Sequence, residues 1–306
     1  MVAGPTAVGK SEVALCLAEM LGGEIISVDS MQVYRGLDIG TAKPSAEERA
    51  RVPHHLIDIL DLTEAFDAAQ FAQRARQAMT EIQARGRVPI LCGGTGLYFK
   101  AFLEGLGDSP PGDEALRAEL QARPLAELLS ELEQRDPVTF AVVDRANPRR
   151  VIRALEVIRL TSKPFSVQRA RWSKGGAENG PHFCYGLERP PAEMQARIDT
   201  RVDEMFQRGL VEETRSLLAR GLEQNPAAMQ AIGYRQVVEH LRGERSLAET
   251  IDLVKTRTRQ FAKRQRTWFR RQAQVQWLQP SANETTETLA ERVAATWRKE
   301  SGENRG

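Results

Sequence analysis

The sequence predicts an α/β fold: a parallel sheet with helices on both faces, carrying a helical insertion. Three observations lead there. An octapeptide, Gly4-Pro5-Thr6-Ala7-Val8-Gly9-Lys10-Ser11, fits the phosphate-binding loop pattern in full and lies between an apolar start and a helical pattern. Through the amino-terminal third, short apolar runs alternate with helical patterns, as strands covered on both faces by crossover helices do. Beyond Gly105 a stretch rich in Gly, Pro, Asp and Ser, GLGDSPPGDE, marks a hinge, and the chain after it is nearly all helical in period.

In chain order, Val2-Ala3 leads into the glycine loop, and because three residues precede Gly4 the first strand is expected to be very short. Residues 12–21 place Val13, Ala14, Leu17 and Leu21 at helical spacing until Gly22-Gly23 stops them. Residues 24–28 read as a second strand ending at Asp29, residues 68–85 as a helix, and residues 88–92 as a strand running into Gly93-Gly94-Thr95-Gly96. The arrangement is P-loop NTPase-like. Short helices are expected over 114–121, 125–135, 137–143 and 148–161. A loose stretch, 173–181, then precedes an apolar run at 182–187 that returns the chain to the sheet. Long helices are expected over 191–220, 228–241 and 247–271, then an apolar stretch at 275–278 and a disordered tail, ESGENRG. Three segments result: 1–111 as the first part of the core, 112–175 as the insertion, and 176–306 as completion of the core with basic carboxyl-terminal helices.

At 306 residues and 41% hydrophobic content the chain can bury a core without staples. No run approaches the roughly 18 apolar residues of a membrane span, and the start lacks a charged-then-apolar leader, so a cytoplasmic protein without a membrane partner is expected. Cys16, Cys92 and Cys184 are far apart and read as reduced structural thiols. The net charge is +2, but KTRTRQFAKRQRTWFRR, from Lys255 to Arg271, carries no acid. That segment suits a polyanion.

The octapeptide carries the strongest local chemistry. Its glycines let backbone N–H groups turn around an anion, the following helix adds its dipole, Lys10 adds a point charge, and the Ser11 hydroxyl can hold Mg2+. In nucleotide-using enzymes of this type an apolar strand usually ends in a magnesium-holding aspartate, but here residues 88–92 end in glycines, so a diphosphate fits better than a triphosphate. Asp29, taken to be one strand over, would share the loop's edge of the sheet. It is a general base, a magnesium ligand or simply a turn-former. Thr95 is in a tight turn that is structural or brings its hydroxyl to a leaving phosphate. A small-molecule kinase and an RNA-binding ATPase share the loop and stand as rival readings.

Beside these residues stand VDSMQVYRGLDIGTAKP at 28–44, PHHLID at 53–58, GGTGLYFKA at 93–101, NPRRVIRALEV at 147–157, AIGYRQ at 231–236 and TRQFAKRQRTWFR at 258–270. Together and in this order they resemble the bacterial tRNA dimethylallyltransferase family over nearly the whole chain. The resemblance implies transfer of a dimethylallyl group from dimethylallyl diphosphate to N6 of the adenosine at position 37 of tRNA, 3′ of the anticodon, with Mg2+ as cofactor. It casts Asp29 as general base, with Lys10 and Thr95 also catalytic. The diphosphate would lie on Gly4 to Ser11 with Arg197 or Arg201, which are four residues apart in one helical pattern.

For the RNA, the resemblance implies that Asp29, Ser30, Met31, Gln32 and Thr95 line the base pocket, with Gln32 reading a base edge. It adds Arg117, then Arg149, Arg150, Val151, Ile152 and Arg153, then Gln230, Ala231, Ile232, Gly233, Tyr234 and Arg235. Arg149 departs from the pattern, since the family commonly has glutamine there. The insertion becomes a clamp on the anticodon stem-loop, the basic helix a phosphate-backbone contact, and the enzyme a monomer. Phe261, Trp268 and Phe269 within that helix are expected mainly to pack inward.

Overall fold

The computed structural model describes residues 1–170, 183–281 and 284–301. The chain runs β1 (Val2–Ala3), α1 (Lys10–Leu21), β2 (Gly23–Val28), α2 (Ala46–Arg51), β3 (His54–His55), α3 (Ala68–Ala84), β4 (Val88–Gly93) and α4 (Gly96–Glu104). Five helices follow: α5 (Glu114–Gln121), α6 (Leu125–Arg135), α7 (Pro137–Val142), α8 (Pro148–Thr161) and α9 (Phe165–Gln168). The last part is β5 (Tyr185–Leu187), α10 (Pro191–Gln207), α11 (Leu210–Ala219), α12 (Tyr234–Leu241), α13 (Leu247–Gln272), β6 (Gln276–Leu278) and α14 (Thr286–Ser301). Among the described residues no helix is long and apolar enough to cross a membrane.

All six strands are parallel, in the order β3-β2-β4-β1-β5-β6. Side chains alternate across a strand, and both faces are covered. Val2, Ile25, Ile90 and Cys92 pack with Ala14, Leu17, Val293 and Ala294, which puts α1 and α14 on one face. Ala3, Ile26 and Leu91 pack with Phe71, Phe99 and Phe269, which puts α3, α4 and α13 on the other. Burial of one such phenylalanine contributes about 2–3 kcal/mol, and Phe269 is 1% exposed.

The register fixes what leaves the sheet where. Gly93 pairs with both Ala3 and Val28. The next residues, Gly4, Gly94 and Asp29, therefore emerge side by side at the carboxyl edge, where ligands of open α/β sheets bind. The expectation that Asp29 stands one strand over from the loop is corrected: β4 lies between β1 and β2. Two strand spacings, about 10 Å, separate them.

Two expected helices are each broken in two. Residues 191–220 form α10 and α11 because Gly209 adopts φ 99°, and residues 228–241 form a 3-10 turn and α12 because Gly233 adopts φ 105°. Glycine takes a positive φ at least cost, so the helical path breaks readily there. The loose stretch at 173–181 lies outside the described residues, as does all of the tail except Glu300 and Ser301, which belong to α14.

By compactness the chain divides into Met1–Leu103 with Lys174–Gly306, and Glu104–Ser173. The second unit is helical, with Leu120, Leu128, Leu132, Val151 and Leu155 at its centre. Glu156 is wholly buried there and binds Arg117 at 3.0 Å, Arg153 at 2.7 Å and the Asp113 N–H at 2.9 Å. Burial pushes its carboxyl pKa up, but the bonds from Arg153 and Arg117 outweigh this and hold it below the ordinary value.

Candidate functional site

The P-loop is shaped by what grips its carbonyls. Arg197 Nε donates to the Ala7 carbonyl at 2.8 Å, and Arg189 Nε to the Val8 carbonyl at 2.9 Å. With those oxygens held by arginines, the loop's amides can face the other way, apart from the Thr6 N–H, which is already bonded to a side chain. Ala7 at φ 64° and Gly9 at φ 101° supply the left-handed turns this needs. Helix α1 opens at Gly9 with no capping side chain, which leaves its first N–H groups and dipole available to an anion.

Positive charge converges on the same place. Lys10, Arg197, Arg201 and Arg208 line a cavity of about 570 Å³, with Ser11, Glu12, Ser27, Gln32, Cys92 and Glu204 among the other walls. Burial pushes the Lys10 pKa down, Arg201 adds to that, and Asp29 and Glu12 oppose it. The Arg201 pKa is also lowered, by burial first, with Glu12 and Asp29 opposing. A desolvated lysine beside a desolvated arginine is a costly arrangement that a polyanion relieves. Lys10 Nζ meanwhile rests on the Pro5 carbonyl at 3.3 Å.

The two expected arginines differ in employment. Arg197 is tied to the loop it supports, whereas Arg201 has no hydrogen bond or ion pair among the described residues. Of the two, Arg201 is thus the one whose guanidinium is uncommitted. Arg189, which sequence reasoning missed, stands just after β5 and brings Nη2 within 3.7 Å of where a Cβ on Gly9 would be.

Asp29 has divided duties. Its Oδ1 accepts the Met31 N–H at 2.8 Å and the Gln32 N–H at 3.2 Å, forming a turn. Its Oδ2 has no partner among the described residues. Just after β4, the Thr95 N–H donates to the Val28 carbonyl at 3.2 Å, which ties the Gly93–Gly96 turn to the end of β2; the Thr95 hydroxyl has no hydrogen-bond partner among the described residues. Gln32 is committed internally: Oε1 accepts from Ser27 Oγ at 2.8 Å and Nε2 donates to the Thr41 and Ala42 carbonyls. Reading a base edge with that amide requires these bonds to open.

Other expected RNA residues are mixed. Arg149 and Arg150 are exposed in the first turn of α8, while Val151 and Ile152 are core and Arg117 and Arg153 hold Glu156. Gln230 and Arg235 are exposed, but Ala231, Gly233 and Tyr234 are buried. Tyr234 donates to Glu213 and accepts the Gly40 N–H, and so fastens the loop after β2. Ser30 and Met31 are half-buried beside Asp29.

In the basic run, α13 buries Val254, Ala262, Gln265 and Phe269. Several of its cations are occupied: Lys255 by Asp203, Arg259 by Asp199, and Arg266 and Arg270 by Glu188. Among the described residues Arg257, Lys263, Arg264 and Arg271 have no carboxylate partner. Of the aromatics, Phe269 is core and Trp268 packs on it edge-on, while Phe261 is 37% exposed.

The family model described as IPP transferase matches residues 32–272. The chain is 47% identical over 287 residues to a tRNA dimethylallyltransferase of Geobacter metallireducens, covering 91% of each chain. It is 45% identical to one from Thermomicrobium roseum, covering 98% of this chain and 92% of that one. Among solved structures it is similar to the full-length tRNA isopentenylpyrophosphate transferase of Bacillus halodurans, with a TM-score of 0.70, 40% identity, and 100% and 98% of the two chains covered. A eukaryotic dimethylallyltransferase described as acting on tRNA gives a TM-score of 0.80 at 27% identity, with 100% and 79% covered.

Proposed function

The chain belongs to the IPP transferase family, and we infer from that premise how its own residues carry a dimethylallyl group from dimethylallyl diphosphate to tRNA. The acceptor is N6 of the adenosine at position 37, on the 3′ side of the anticodon, and the products are N6-isopentenyladenosine in the RNA and free diphosphate. The enzyme works as a monomer in the cytoplasm.

The observation that carries this reading is the sheet edge: an anion nest after β1, and a carboxylate with one uncommitted oxygen after β2. An exocyclic adenine amine is a weak nucleophile because its lone pair is delocalised into the ring. Asp29 Oδ2 accepts the N6 proton as the nitrogen forms its bond to the allylic carbon. The carbon–oxygen bond breaks, and its electron pair leaves on the diphosphate. Charge growing there is met by the loop amides, Lys10, Arg201 and the Thr95 hydroxyl.

Ser11 is exposed in the first turn of α1 beside Lys10. One hydroxyl with phosphate oxygens and water fits Mg2+, which takes few protein ligands. When bound there it would neutralise diphosphate charge. Arg117, Arg149, Arg150, Arg153, Gln230 and Arg235, with the unpaired cations of α13, serve as RNA contacts, and the target base is drawn out of its stack to reach the edge. Pure protein, magnesium, tRNA and dimethylallyl diphosphate, followed by mass spectrometry of the digested RNA, tests the reading. A gain of one dimethylallyl group confined to the anticodon-loop adenosine is expected; no gain, or a gain elsewhere, removes it.

A further inference from the structure

Gln265 lies inside the basic run but does none of the work assigned to it. It points inward from α13 and is 8% exposed. Its amide makes two bonds in opposite senses: Oε1 accepts the Thr6 N–H at 2.8 Å, and Nε2 donates to the Gly94 carbonyl at 3.0 Å. One bond holds the entering arm of the P-loop; the other holds the turn that carries Thr95. The two segments are close, since a Cβ at Gly94 would be 3.2 Å from the Gly4 carbonyl. That same Cβ would collide with the Gln265 amide, and one at Gly96 would collide with the Trp268 indole. The glycines on either side of Thr95 are therefore openings through which α13 makes contact.

We propose that Gln265 is a positioning residue for group transfer. Its amide sets the separation between the diphosphate nest and the Thr95 turn. Because Lys263 and Arg264 are exposed on the same helix turn, that separation is joined to the surface of α13 that faces RNA. The role rests on the function inferred above. Among side chains of this length and shape, the amide is the one that offers a donor and an acceptor on separate atoms at neutral pH: a carboxylate keeps the acceptor and sets an oxygen against Gly94, and an aliphatic chain has neither. A misplacement of about 1 Å at a reacting centre costs on the order of a hundredfold in rate.

The test compares Gln265→Glu and Gln265→Met with the unmodified enzyme by single-turnover transfer. Binding of tRNA and inorganic diphosphate and the melting temperature are measured alongside. Both variants should slow the single-turnover step by about 10- to 100-fold, with both binding constants within about threefold. As pH falls from about 8 to about 5.5, the ratio of Gln265→Glu to wild type should rise, because a protonated carboxyl regains a donor, and the Gln265→Met ratio should stay flat. Wild-type rates in folded variants, a loss lying wholly in binding, or the same pH response in both would overturn the role. If a variant melts below the assay temperature, amide hydrogen exchange of Thr6 in the wild type decides: slow exchange supports the strut and rapid exchange removes it. Absence of transfer by the wild type is a failure of the functional reading instead, and Thr6 exchange still tests the strut.

Discussion

Asp29→Asn separates the turn-forming role of Asp29 from the role of base proposed for it. The Oδ1 bonds to the Met31 and Gln32 amides shape the turn after β2, and an asparagine carbonyl can accept both. What it cannot do is take a proton through the second oxygen. A positioned base contributes on the order of 10²–10⁴ in rate, about 3–5 kcal/mol of barrier. Asp29→Asn should therefore lower the single-turnover rate by that factor, with tRNA affinity and melting temperature nearly unchanged. Asp29→Ala should lose the rate and also the turn, for about 1–2 kcal/mol of stability and a few degrees of melting temperature. The assay is transfer from labelled dimethylallyl diphosphate to tRNA under enzyme excess, with filter binding of tRNA and thermal melts. An asparagine variant within tenfold of wild type, or one that loses tRNA binding in equal measure, would refute the base assignment.

Three further outcomes are expected. Arg201→Ala should weaken inorganic diphosphate binding by about 10- to 100-fold at unchanged or higher melting temperature, since a charge-assisted bond is lost and repulsion of Lys10 is relieved; Arg197→Ala should mainly lower the melting temperature, because the Ala7 carbonyl loses its donor. Replacing Lys263 and Arg264 by glutamine should reduce the slope of log affinity for tRNA against log salt by about 1.4–1.8, and an unchanged slope would move the RNA contact elsewhere. Glu156→Gln should destabilise the helical unit by about 2 kcal/mol. The folded pKa of Glu156 is below the ordinary 4.5, so the wild type's advantage should be full above that value and shrink as pH falls through the folded pKa, checked by urea melts across the acid range.

Much of this architecture was legible because local chemistry and tertiary context agree. Helices α5, α6 and α8 begin and end where the apolar period does, and the P-loop pattern lies in the strand-to-helix setting that gives it meaning. The splits at Gly209 and Gly233 were hidden because the apolar period runs on past each glycine, and only the backbone reveals a left-handed turn. Strand order is a long-range pairing, so the distance from Asp29 to the loop could not be counted along the chain. Arg189 looked like one more charge after a strand, and its bond to Val8 belongs to a fold of the loop that composition does not encode. Gln265 was masked by the eight cations around it in KTRTRQFAKRQRTWFRR, which drew attention to the helix's outer face. Helix α14 gave too weak a signal among its polar residues, yet Val293 and Ala294 complete one side of the sheet.

The arginine-held carbonyls of Ala7 and Val8 bear on how a ligand is received. Ordering a backbone residue costs about 1–2 kcal/mol, and here two arginine side chains have already imposed that order during folding. On the proposed reading, an arriving diphosphate would meet a loop already shaped and would have no backbone to mould. Its attraction would then go into selecting anions by shape, and its departure after reaction would not wait for the peptide to unwind.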